Sequence, residues 1–261
     1  MKPLWTPSPE RAAATELARF MKRAGQRDYA GLHRWSVEES PAFWNLLWEF
    51  CEVRGEKGAR TLVDGDRMPG AKWFPDARLN YAQNLLNGKG EIVFWGEDRI
   101  KRRVTQQNLR NLVSRLAQAL ADAGVKKGDR VAGYLPNVPE ATAALLATAS
   151  LGAVWSSCSP DFGVQGVLDR FGQIEPKVLL CADGYLYNGK EFDSQEKVSQ
   201  VLDKLPSRGL LSARLSLHYR SYLVEGYVTN LTKEVYTVGQ TGNNEFFGAP
   251  REFGLRVRAS F

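Results

Sequence analysis

The chain has 261 residues, a formal net charge of +6 at pH 7 and a pI near 9.2. Its apolar share of 43% and charged share of 25% are those of a globular protein with a sizeable core, in one large domain or two modest ones. The basic residues are scattered and the densest run is Lys101-Arg102-Arg103, so the charge excludes a nucleic-acid-binding stripe and suits small anionic ligands.

Cys51, Cys158 and Cys181 lie far apart without a C-x-x-C spacing, and His33 and His218 are the only histidines. That pattern excludes a zinc site or a disulfide framework and reads as buried, reduced thiols of a cytoplasmic protein. Met1 to Pro9 has no charged-then-apolar signal pattern, and no apolar run approaches the ~18 residues of a membrane-spanning helix.

Residues 1–50 read as two helical stretches. Ser40-Pro41 predicts a helix start, with a hydroxyl N-cap and proline at the first helical position. Phe43, Leu46, Leu47 and Phe50 follow at helical spacing, and Trp44 and Trp48 widen the face as core residues. Gly55 to Gly70 reads as loop with a short strand, and a further helix runs through Leu85-Leu86 to Gly88. Ile92 to Trp95 predicts a short buried strand, with Arg99 to Thr105 as its hairpin partner.

From Thr105 the pattern becomes regular. Leu109, Leu112, Val113, Leu116 and Leu120 mark a helix that ends at Gly124, then a turn at Lys127-Gly128-Asp129 leads to a strand from Val131 to Leu135. Asn137 and Glu140 have the spacing of a capping box, opening a helix that runs towards Gly152. Ala153 to Ser157 is the next strand; Val164, Val167, Leu168 and Phe171 mark a helix, and Val178 to Cys181 a third strand. Helix, turn and strand, three times over, predict an α/β fold with a helix-covered parallel sheet whose strands are buried on both faces. Ligands of such sheets bind beyond the carboxyl ends of the strands, here Pro136 onward, Ser156 to Gly163 and Ala182 to Lys190. After Pro206 the texture turns to alternation: Leu255, Val257, Ala259 and Phe261 define a terminal strand, Tyr227 to Leu231 another, and Thr241 to Asn244 a turn.

Four stretches of residues 1 to about 206 resemble the N-terminal part of the acetoacetyl-CoA synthetase family (acetoacetate–CoA ligases) of the adenylate-forming superfamily. They are Lys72-Trp73-Phe74-Pro75 with Leu79-Asn80-Tyr81-Ala82, Gly128-Asp129-Arg130-Val131 through Pro136-Asn137-Val138-Pro139-Glu140, Ser150 to Gly163, and Tyr187-Asn188-Gly189-Lys190. Within the third, Trp155-Ser156-Ser157-Cys158-Ser159-Pro160-Asp161-Phe162-Gly163 carries the likeness to the acetoacetyl branch.

The resemblance implies ATP-dependent formation of an acyl-adenylate from acetoacetate, then of a thioester with CoA, with magnesium as a further cofactor. It also implies a chain truncated before the family's Ser/Thr-Gly-Thr-Thr-Gly-x-Pro-Lys phosphate loop and its catalytic lysine, so no catalytic residue is assigned and the chain is expected to be inactive alone. Gly239-Gln240-Thr241-Gly242 resembles that loop but lacks its Pro-Lys. In acetyl-CoA synthetase relatives two arginines of the loop after the third strand approach the CoA nucleotide phosphate; the matching positions are Tyr187 and Lys190. Lys190 also reads as a plain solvated lysine, Ser157 and Asp161 as turn caps, and Cys158 as an inert thiol. The alternative function is a non-catalytic CoA-binding or interaction module, or a non-functional fusion product.

The tail, about 208 to 261, resembles the closing strands of TonB-dependent outer-membrane receptors, with an alternating last strand and terminal Phe261. A few strands close no barrel, so no membrane domain is expected, and the junction is expected near Ser207 to Leu211. The domain expectation is an N-terminal extension over 1–104, a truncated first α/β subdomain of the AMP-binding domain over 105–206, and a β-rich tail over 207–261.

Overall fold

The computed structural model describes residues 3–97 and 99–205 and, beyond them, the backbone of three strands. The chain divides into two compact units between Asn80 and Tyr81.

The first unit is helical because three short polar side chains start its helices. Ser8 Oγ accepts from the Arg11 amide ahead of α1 (Pro9–Ala13), Thr15 Oγ1 from Ala18 ahead of α2 (Glu16–Arg23), and Asp28 Oδ1 from Gly31 ahead of α3 (Tyr29–Glu38). α4 (Ser40–Phe50) differs from the sequence expectation. Its N-cap is Glu39, Ser40 is already helical, and no side chain caps it. α3 runs almost directly into α4: the Glu39 amide closes α3 on the Trp35 carbonyl, and the Glu39 carbonyl accepts from Phe43. The single hinge residue leaves no separate position for a serine cap.

Buried Phe20 gathers the unit's core, with the rings of Phe43 and Phe50 at 5.6 and 5.0 Å. Trp44, expected in the core, lies only at its edge: it is 40% exposed, with its ring 5.4 Å from both Phe43 and Trp73, while Trp48 is half-buried against Phe74. The stripe of α4 that faces α2 and α3 holds Phe43 and Phe50, and the two tryptophans fall at its rim. Cys51, expected to be buried, is exposed just past the end of α4. The two-residue strands β1 (Leu62–Val63) and β2 (Lys72–Trp73) pair antiparallel.

In the second unit α5 (Tyr81–Leu85) precedes the hairpin of β3 (Glu91–Gly96) and β4 (Ile100–Thr105). The hairpin forms as expected, but β3 is not buried: Val93 and Trp95 are exposed on one face, where the Lys101 ammonium lies 4.7 Å from the Trp95 ring. A two-stranded ribbon with one covered face shows alternation, not full burial.

The sheet that follows has the order β6-β5-β7, all parallel, from β5 (Arg130–Tyr134), β6 (Val154–Cys158) and β7 (Val178–Cys181). α6 (Gln106–Asp122), started by Thr105 Oγ1, and α7 (Pro139–Ser150) cover one face, burying Leu109, Val113, Leu146 and Ala147 with Val131 and Val178. α8 (Val164–Phe171) and α9 (Gln195–Lys204) cover the other, with Val167, Phe171 and Val201 against Ala132, Tyr134 and Leu179. Burying a Phe or Val side chain fully is worth about 1.5–3 kcal/mol, so these contacts outweigh local propensity in fixing the helices. The outcome is the expected α/β fold, a parallel sheet covered by helices. Central β5 is buried throughout most of its length, whereas β6 lies at the sheet edge and leaves Val154 52% exposed, short of the two-sided burial expected of every strand.

The capping box expected at Asn137 does not form. Val138 is the N-cap, Pro139 occupies the first turn, and Glu140 turns to Arg102 on β4 at 2.6 Å. Proline has no N–H to offer a cap, which frees the glutamate for another partner. α9 lies beyond the expected elements, although Val198, Val201, Leu202 and Leu205 carry helical spacing. Between β7 and α9 sits a second hairpin, β8 (Gly184–Tyr187) with β9 (Lys190–Asp193).

In the tail, β10 (Ala213–Tyr219), β11 (Tyr222–Thr229) and β12 (Glu252–Ala259) form an antiparallel sheet in the order β10-β11-β12. The turn at Thr241 to Asn244, the Gly239 to Gly242 stretch and the junction at Ser207 to Leu211 fall outside the described residues. No helix among the described residues is long and apolar enough to cross a membrane.

Candidate functional site

The carboxyl ends of β5, β6 and β7 come together at Tyr134, Cys158 and Cys181, which the parallel register places side by side. Tyr134 is 1% exposed and its hydroxyl donates towards the carbonyls of Phe162 at 2.6 Å and Pro160 at 2.9 Å. It therefore ties the Ser159–Gly163 loop down over the strand ends. Burial, helped by the nearby Cys158, Tyr185, Cys181 and Asp161, pushes its pKa up to about 12, so at neutral pH it is a fixed donor and not a proton carrier. Lys197 of α9 reaches the same Pro160 carbonyl at 3.4 Å.

Burial pushes the Cys158 thiol up to about 11 and raises Cys181 further, so both stay protonated at neutral pH. Ser157 and Asp161 are exposed at the same edge, and the turn-capping expected of them makes no side-chain hydrogen bond among the described residues.

Tyr187 and Lys190, expected on a loop, face each other across the β8–β9 hairpin. The turn between them is Asn188-Gly189, with φ of +51° and +72°. Positive φ at both central residues is the requirement of a type I′ turn, which Asn-Gly meets at least cost. That dipeptide, with aromatic residues at alternate positions on both sides (Tyr185, Tyr187 and Phe192), was the sequence signal for a hairpin. Side chains alternate along a strand, so Tyr185, Tyr187, Lys190 and Phe192 share one face, and the Tyr185 and Phe192 rings stack at 5.1 Å. Tyr187 is 66% exposed, and Lys190 is exposed without an ion-pair partner among the described residues. An ammonium beside a flat aromatic surface fits a nucleotide phosphate and its base.

Two residues at this edge escaped the sequence reading. Asp183, which follows Cys181 and Ala182 at the end of β7, is half-buried; burial raises its pKa, against bonds from the Gly184 and its own amides that lower it. Its carbonyl accepts from the amide of Ser194, which is fully buried with its Oγ unpartnered among the described residues. No local pattern marks either one. Among the described residues no group of His, Cys, Asp and Glu could hold a metal ion. An open groove of about 490 Å³ lies elsewhere, along α3 in the first unit, lined by Tyr29, His33, Arg34 and Val37 among others.

Comparison with known proteins agrees with the sheet and its motifs. The family model described as "Acetyl-coenzyme A synthetase N-terminus" matches residues 29–85, and that described as "AMP-binding enzyme" matches residues 86–236. The acetoacetyl-coenzyme A synthetase of Rhizobium meliloti is 53% identical over 78% of this chain and 33% of its own length; that of Macaca fascicularis is 42% identical over 78% and 32%. The structure of acetoacetyl-CoA synthetase from Streptomyces lividans superposes with a TM-score of 0.73 at 45% identity, over 79% of this chain and 34% of that one. The chain thus spans about a third of the length of the curated relatives it matches. The AMP-binding match runs past the expected junction and through β10 and β11, and the resemblance of the tail to an outer-membrane receptor draws no support from these relatives. With more than half of its residues matched by that model, this chain belongs to the AMP-binding enzyme family.

Proposed function

We propose that this chain is the opening segment of an acetoacetate–CoA ligase, a scaffold that brings part of the CoA site to the sheet edge but does not complete the adenylating centre. The observation that carries the reading is 53% identity to an acetoacetyl-coenzyme A synthetase, with the family's strand-end motifs placed around Tyr134 and the β8–β9 hairpin. In this reading residues 1–104 are the N-terminal extension, 105–206 the first α/β subdomain and 207–261 a β-rich tail, in a cytoplasmic protein.

Lys190 and Tyr187 are the residues that would hold CoA: the ammonium offers charge to a phosphate without arginine's fork, the phenol one hydrogen bond. When bound, CoA supplies the thiol that accepts the acyl group. For ATP and magnesium the fit is poor. The 261 residues contain no Ser/Thr-Gly-Thr-Thr-Gly-x-Pro-Lys run, and the described strand ends offer protonated thiols and a fixed phenol where phosphate needs cations and backbone amides. Lacking such groups costs transition-state stabilisation on the order of 10 kcal/mol.

The expected result is no acetoacetate-dependent ATP–pyrophosphate exchange by the purified chain. Exchange above a heat-inactivated control overturns the reading. The alternative reading, a non-catalytic CoA-binding module, rests on the same exposed Lys190. Saturable CoA binding in a calorimetric titration, weakened by Lys190→Ala, supports it; flat titrations exclude it.

A further inference from the structure

The tip of the β8–β9 hairpin does not stand free. The Gly189 amide donates to Glu97 Oε2 at 2.7 Å, the Arg99 guanidinium pairs with Glu191 at 2.7 Å, and its other terminal nitrogen reaches the Gly189 carbonyl at 3.4 Å. Glu97 and Arg99 lie in the turn between β3 and β4, some ninety residues earlier in the chain. Two hairpin tips are thus locked end to end through both polar groups of one glycine.

In a two-residue turn the amide of the second central residue points outward, away from the strand ladder, and needs an acceptor from elsewhere. Glu97 supplies one with full charge. Glu97 itself has φ of +53°, the left-handed region that glycine or asparagine enters at lower cost. A glutamate held in that conformation is explained by what its carboxylate does there.

On this basis, and resting on the CoA reading of Tyr187 and Lys190, we infer that Glu97 and Arg99 are positioning residues for CoA: they fix the Asn188-Gly189 turn so that Lys190 and Tyr187 meet the nucleotide phosphate already in place. The hairpin alone would sample several tip geometries, and a short ribbon is marginal without such support. Pre-ordering the tip removes the entropy loss that binding would otherwise carry.

The sign of one substitution separates this role from simple electrostatics. Glu97→Gln removes a negative charge close to a polyanionic ligand. If Glu97 acted only through its field, CoA would bind more tightly to the variant. Acting through the turn, its loss weakens binding.

The test is calorimetric CoA titration of the full chain and of Glu97→Gln, Arg99→Ala, Lys190→Ala and the Glu97→Gln/Lys190→Ala pair, with amide exchange at Gly189 followed by NMR without ligand. Expected are a three- to tenfold weaker Kd for Glu97→Gln and for Arg99→Ala, and at least fivefold faster Gly189 exchange in Glu97→Gln. In the Lys190→Ala background Glu97→Gln should change Kd by less than twofold. Unchanged or tighter CoA binding by Glu97→Gln overturns the positioning role while Lys190→Ala still upholds the CoA reading; absence of CoA binding by the unsubstituted chain overturns both. All three side chains are exposed, so an unchanged thermal midpoint in the variants excludes misfolding as the cause.

Discussion

Removing the hydroxyl of Tyr134 tests whether the loop over the strand ends is held as described. In Tyr134→Phe the ring still fills its buried place, but the carbonyls of Phe162 and Pro160 lose the donor at 2.6 and 2.9 Å. One hydrogen bond contributes about 0.5–1.5 kcal/mol net, and a buried acceptor left without a partner costs about 1–3 kcal/mol. Lys197, already 3.4 Å from the Pro160 carbonyl, can serve one of the two, which places the loss near 2 kcal/mol. For a protein of this size that lowers Tm by roughly 4–8 °C.

The same substitution has a signature in alkali. The folded pKa of about 12 stands above the ordinary 10.0, so the folded state keeps a proton that the unfolded chain releases. The stability this contributes is complete below pH 10 and is lost as the pH rises through about 12, at about 1.4 kcal/mol per pH unit. Urea unfolding of the full chain from pH 8 to 11.5, followed by tryptophan fluorescence, should show the wild-type advantage shrinking above pH 10. A variant as stable as wild type at pH 8, or a gap that does not close in alkali, refutes the argument.

Two further outcomes follow from packing. A Cβ on Gly133 would lie 2.5 Å from Cη2 of Trp155, so Gly133→Ala should cost about 1–3 kcal/mol in urea unfolding. The same change in a Trp155→Leu background should cost less than about half as much; equal costs would show that the ring is not the obstacle. In native protein at pH 8 a thiol reagent should label Cys51 quickly while Cys158 and Cys181 react only on denaturation, because burial keeps both protonated and covered. Rapid labelling of two or more thiols would contradict that burial.

What the sequence made legible was whatever periodicity encodes. Leu109, Val113 and Leu120 on one helical face, and the apolar runs ending at Tyr134 and Cys181, specify a parallel sheet with helices on both sides because burial dominates there. Helix starts were less legible. Ser40 and Asn137 carry cap chemistry, yet the tight hinge at Glu39 and the proline at 139 moved the boundaries by one residue, which is enough to defeat a cap. Trp44 and Trp95 were misjudged because apolar spacing marks a face but not how much of that face a neighbour covers, and a large ring often remains partly exposed. Tyr187 and Lys190 were singled out by resemblance, and their facing geometry was readable in Asn188-Gly189. The tie from Glu97 to Gly189 had no local trace, since neither residue's neighbours encode a partner so distant in the chain.

The two ends of the sheet are held by different physics, and the difference bears on where ligand is met. At the amino ends, Asp129 accepts from the Lys126 amide and from Lys177, its carboxyl is held below the usual range by those bonds, and Lys177 also reaches the Gly124 carbonyl. Arg130 bonds the carbonyls of Ile174 and Glu175. These contacts are partly shielded and join β5 to the approach of β7, so strand order is secured there. At the carboxyl ends, one buried phenol restrains the Ser159–Gly163 loop, and the β8–β9 tip depends on exposed charges that salt and solvent weaken. Strand register is thus secured at the base, independently of the exposed Glu97 and Arg99 contacts that hold the Asn188-Gly189 turn at the rim, so losing those contacts would free the turn, at the edge where α/β sheets take their ligands, without disturbing the sheet.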